Sequence, residues 1–237
     1  MNPSLETLRA RIRADLATRR APVRSEVAWR DRVVLGAGVL ATSVAFVVYG
    51  GVRVGDRSTG LFVASVGLWV LVAIATSFVA LRRGRASLGA PTLVLGWTTA
   101  LLAPVLVATH VATLFGASAE NVPETSARAT IACLVATLVM TAGPFGALLV
   151  TRRGSDPVHP RTAAAAYGAA AGAWASVLVD LHCPALHVTH VAVGHALPSL
   201  LAAAFGAFVG TRVLGIRSIP TPMVRDDRRP GSHLSGG

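Results

Sequence analysis

Lysine is absent from this 237-residue chain, so all 22 basic positions are Arg. Charged residues make up only 14% of it, against about 25% in a soluble domain. Aromatic residues stand at 5%, and there are two cysteines. Each shortage excludes something. So few charges argue against an ordinary cytosolic enzyme or a disordered chain, and two cysteines cannot staple a secreted domain. So few aromatics leave no stacking platform for single-stranded nucleic acid. No nucleophile–base pair, phosphate loop or zinc-finger spacing is present, so the expectation is a protein that is not an enzyme.

What the chain has instead is hydrophobic length. Apolar residues make up 53% of it, and they gather into runs at about 33–52, 60–81, 90–115, 129–150, 162–182 and 189–211. Roughly 20 residues of helix cross about 30 Å of hydrocarbon, so each run is long enough to span. Their Ala, Val, Leu and Gly content reads as helix and not as alternating barrel strands. The expected fold is therefore all-α, a polytopic bundle of six transmembrane helices in the lipid bilayer. A polar segment 1–32 precedes the bundle at 33–211, and a polar tail without expected order follows at 212–237. The first run lies behind 32 polar residues, and Val48-Tyr49-Gly50-Gly51 lacks a small-x-small cleavage pattern, so it does not read as a signal peptide.

The net charge of +11 suits topology better than nucleic acid, because Arg-rich loops stay on the cytoplasmic side. The stretch 1–32 holds eight Arg, loop 82–89 three, loop 151–161 three and the tail five, while the intervening connectors hold two, one and none. That asymmetry places both termini in the cytoplasm, and the all-Arg, Ala-, Val- and Gly-rich usage suits a GC-rich bacterial genome, so the expected site of the bundle is a bacterial inner membrane. Small-xxx-small pairs at Gly168/Gly172 and Gly206/Gly210 suit close helix packing.

With this orientation, the reactive residues collect near the outer face. His110 lies near the outer end of the third run, and Cys133 about 7 Å inside the fourth at 1.5 Å per residue. The fifth run ends at Asp180-Leu181-His182-Cys183, where Pro184 stops the helix. His187, His190 and His195 follow. Thiols and imidazoles suit a thiophilic metal ion, and the metal candidates are Cys133, Cys183 and His182. A disulfide is the other use of two thiols in an oxidising compartment, and Cys133 alone also suits an apolar core. Asp180, also a sensing candidate, is costly in hydrocarbon and at a helix end either reaches interfacial water or pairs with His182 or a backbone donor. At 3.6 residues per turn His190 and His195 stand about 140° apart, so they should not share a helix face. A haem held between His110 and His190 or His195 belongs to an alternative reading, a small metal- or haem-binding transporter or electron carrier.

At the N-terminus, Leu5, Leu8, Ile12 and Leu16 form one helical stripe, with Ser4 as N-cap and Pro22 as the stop. Such a stripe suits either an anionic lipid surface or a partner's groove, and periodicity alone favours the surface.

Several of these segments together resemble the NrsF family of membrane anti-sigma factors. They are Leu178-Val179-Asp180-Leu181-His182-Cys183-Pro184, the Gly168-to-Gly172 stretch before it, the Leu-spaced N-terminal helix, Ala21-Pro22-Val23, and Trp29-Arg30-Asp31-Arg32 entering the first run. Cys133 stands where the family has its second cysteine. CarR-like proteins, linked to light or oxidants, share the six-span type. The resemblance implies that segment 1–32 holds an extracytoplasmic-function sigma factor through the Leu5, Leu8, Ile12 and Leu16 stripe. It also implies that the cysteines take part in stress sensing.

Overall fold

In hydrocarbon a backbone must satisfy its own polar groups, and an open chain rich in Ala, Val, Leu and Gly does so by coiling into helices. The computed structural model describes residues 24–53, 59–81, 92–116, 125–153, 159–185 and 187–214, with isolated positions 6, 7, 10 and 14. Among these residues the regular structure is helical throughout. The Leu5, Leu8, Ile12 and Leu16 stripe, loop 82–89, residues 154–158 of loop 151–161 and the tail beyond Leu214 lie outside the described residues.

Six helices are long and apolar enough to cross a membrane. They are α1 (Arg24–Tyr49), α2 (Thr59–Leu81), α3 (Thr92–Gly116), α4 (Ala127–Thr151), α5 (Pro160–His182) and α6 (Val188–Val213). Five of them match the expected runs closely. α1 departs, because its helix begins at Arg24 and carries the polar Arg24–Glu26 turn ahead of the apolar span that opens at Trp29. Pro22, which has no N–H to donate, stands just before that start.

α5 is the centre of the bundle. Some 83% of its span is buried, against 11% for α1. Its run of Ala and Gly allows this, since small side chains let neighbouring backbones come close. α6 lies along it so tightly that a methyl group on Gly168 would strike the Ala202 carbonyl, and one on Gly206 the Ala164 carbonyl. The small-residue pairs therefore do pack helices together. α1 rests mainly on α4, where Gly38 and Gly143 meet and Thr42 Oγ1 donates to Met140 O at 3.0 Å.

α6 is not one uniform helix. An α-helical turn at Val188–Val191 runs into a π-helical turn at Ala192–Ala196, and α-helix resumes at Leu197–Val213. The cause is local. Pro198 has no N–H to return to the Gly194 carbonyl four residues earlier, so the ordinary ladder breaks there. Side chains from two other helices meet the exposed carbonyls: Thr137 Oγ1 donates to Gly194 O at 3.0 Å, and Ser176 Oγ to His195 O at 2.6 Å.

Candidate thiol and imidazole site

At the end of the bundle where α5 turns into α6, α4 contributes Cys133 and α5 is capped by Cys183. The two thiols are free, buried, and 3.6 Å apart. Cys183 Sγ also lies 3.1 Å from His190 Nε2. His195 completes the group: one ligand atom from each of Cys133, Cys183, His190 and His195 lies within 4.8 Å of all the others. These four residues could hold a metal ion.

The π turn makes this possible. It adds a residue to one turn, so positions five apart come onto one face. The His190 and His195 rings consequently stand 5.2 Å apart, nearly perpendicular. The expectation that they could not share a face assumed 3.6 residues per turn throughout, and it fails where the helix widens.

His190 is oriented from α4. Its Nδ1 lies 3.0 Å from Thr130 Oγ1, which in turn lies 3.3 Å from Ser126 O. Thr130 Oγ1 donates to Ser126 O, which leaves its oxygen free to accept from His190 Nδ1–H. The His195 ring packs edge-on to Trp69 of α2 at 5.8 Å. It is fully buried, and neither of its ring nitrogens has a hydrogen-bond partner among the described residues.

Other expected site residues are placed differently. His182, the expected third metal candidate, lies outside the four-residue group. It is the last residue of α5, and its Nδ1 lies 2.9 Å from Gly51 O. Asp180 accepts a hydrogen bond from Ser65 Oγ of α2 at 3.0 Å. His110 is buried on α3 and His187 is half-buried ahead of α6, both outside the four-residue group.

Sequence reading missed Tyr49, Thr130, Thr137, Ser65 and Trp69. Tyr49 is the most consequential, because its hydroxyl lies 3.6 Å from Cys133 Sγ and its ring 4.4 Å from that of His182. The Gly50–Gly51 pair bends the chain at positive φ (122° and 65°) and brings Arg53 N to Leu181 O at 2.9 Å. L-residues with side chains rarely adopt that backbone conformation, so the Gly-Gly pair after Tyr49 was the available signal.

Six membrane-length helices enclosing a buried thiol–imidazole cluster near one end define the class, a multi-span helical bundle with a soft-donor site. Within that class, the chain belongs to the NrsF family, described as negative regulator of sigma F, which matches residues 16–215. No curated protein and no solved structure matches it. The family description makes the chain a negative regulator whose partner is a sigma factor.

Proposed function

We propose that this chain is a membrane anti-sigma factor. It holds an extracytoplasmic-function sigma factor against its N-terminal segment and releases it when a metal or oxidant reaches the Cys133–Cys183 pair. The family match over residues 16–215 carries the regulatory part of this reading. The Arg-rich ends and loops favour a bacterial inner-membrane position with both termini in the cytoplasm, which puts the thiol cluster near the outer face. The protein works in this reading as a binding switch and catalyses no reaction.

α1 supplies the connection. One end touches Cys133 through Tyr49, and the other leads back toward residues 5–16. It is also the span least held by the bundle, with 11% buried, so a small change at the thiols can act on it. Shifting a 99:1 equilibrium to 1:99 takes about 5.5 kcal/mol, which a metal–thiolate site can supply. A transporter would carry its polar groups near the middle of the membrane, whereas these thiols belong to the end of the bundle.

The test is partner retention. Changing Leu8 and Ile12 to Asp should break co-purification of the sigma factor with the detergent-extracted chain and switch its target genes on. A carboxylate buried without a partner costs several kcal/mol at an interface centre. Neutralising Arg9, Arg11 and Arg13 should matter less. If the Leu8/Ile12 variant keeps its partner and the genes stay silent, this stripe is not the sequestering element.

A further inference from the structure

We propose that Cys133, Cys183, His190 and His195 form a four-ligand site for a soft divalent metal ion that favours tetrahedral coordination, of the zinc and cadmium class. This deepens the sensing reading and rests on it for the biological role alone. The ligand geometry is independent of it.

Distances carry the first part of the argument. Bonds of about 2.3 Å to sulfur and 2.0–2.1 Å to imidazole nitrogen give a tetrahedron with edges of about 3.8 Å between sulfurs and about 3.5 Å between sulfur and nitrogen. The thiols stand 3.6 Å apart, and Cys183 Sγ stands 3.1 Å from His190 Nε2. Two edges are thus close to the required length, and all four donors fall within 4.8 Å of one another.

The histidines decide between a metal and a disulfide. A disulfide would join the sulfurs and leave both rings without a task. His195 is fully buried with neither nitrogen hydrogen-bonded among the described residues, an arrangement that costs free energy unless something binds there. A metal ion uses one of those nitrogens. His190 already has the support typical of a ligand, with its far nitrogen on Thr130 and Thr130 on Ser126. The π turn that brings His195 into the group is held by Thr137 and Ser176 from two other helices. Charge also balances: on binding, the two thiols lose their protons to solvent, and two thiolates neutralise one divalent ion. A buried site of net zero charge avoids the penalty of an unpaired ion.

The experiment uses the full chain in detergent, with its thiols reduced and counted, titrated with Co²⁺ and then Zn²⁺. One Co²⁺ per chain should bind, with a thiolate charge-transfer band in the near ultraviolet and the strong visible bands of four-coordinate cobalt. Zn²⁺ should displace it. Cys133→Ser and Cys183→Ser should each remove about half of the charge-transfer intensity. Losing a group behind a ligand costs about 10–100-fold in affinity, so Thr130→Val should weaken binding about 10-fold, and His195→Ala, which removes a ligand itself, should weaken it further. In the unaltered chain Zn²⁺ should protect both cysteines from maleimide, a readout that depends on no variant's folding. The proposal is overturned if the reduced chain takes up no Co²⁺, or if His195→Ala binds with unchanged affinity and spectrum. The Leu8/Ile12 variant should bind metal normally, so failure of the partner test and failure of this one remain distinguishable.

Discussion

At the residue scale, the chemistry is set by which donors are buried beside which. Cys133 and Cys183 lie fifty positions apart in sequence yet touch, and each also faces a group that can report on it: Tyr49 for Cys133, His190 for Cys183. Changing both cysteines to Ser should leave the protein inserted and able to hold its sigma factor, while blunting release by the inducing metal or oxidant. Reporter expression with and without the stressor measures this, and full induction in the double variant would reduce both thiols to core residues. Thr137 gives a second prediction. Its buried hydroxyl is shared between Cys133 O at 2.7 Å and Gly194 O at 3.0 Å, the carbonyl that Pro198 leaves without its usual N–H. Thr137→Val keeps the shape and removes the donor, so it should cost about 1–3 kcal/mol, read as a lower unfolding temperature in detergent. An unchanged melt would mean that this carbonyl finds another partner.

At the element scale, α5 and α6 hold the bundle together by backbone proximity. A leucine at Gly168 or Gly206 has no room, because a single methyl group already meets a carbonyl of the facing helix. Overpacking of this kind costs about 1–3 kcal/mol or more per site. Gly67 of α2 is the control, since a Cβ there meets nothing within 4 Å. Gly168→Leu and Gly206→Leu should melt well below the unaltered protein and Gly67→Leu beside it. Equal stability of all three would remove the close approach of α5 and α6 as the organising contact. The six spans were legible in the sequence to within a few residues because length and hydrophobicity set them. The break in α6 was not, although Gly194 and Pro198 are its local marks, because a missing α-helical hydrogen bond can also be met by a kink. The donors that favour a widened turn come from α4 and α5, far away in sequence.

At the scale of the whole molecule, the proposed switch depends on orientation. The Arg-rich segments at 1–32, 82–89, 151–161 and the tail should lie inside, which sets the thiol cluster toward the periplasm. Reporter fusions at both termini and in loops 82–89 and 151–161 test this, with cytoplasmic signals expected at all four. A periplasmic N-terminus would separate the Leu8/Ile12 stripe from any sigma factor and remove the proposed switch. If the orientation holds, α1 links the two faces of that switch: Tyr49 at the thiols and the N-terminal segment at the partner.

By itself the sequence determined the number of spans, their helical character, the gathering of both cysteines near one face and the family of the chain. All of these follow from composition, length and residue type, which a linear reading can count. Only the tertiary structure decided which histidines join the cysteines. His182 is next to Cys183 in the chain, yet the end of α5 carries its ring toward Gly51. His195 is twelve residues further on, and a π turn held by Thr137 and Ser176 brings it back to the sulfurs. Helical phase is set by hydrogen bonds from neighbouring helices, and those neighbours become known only when the bundle is assembled.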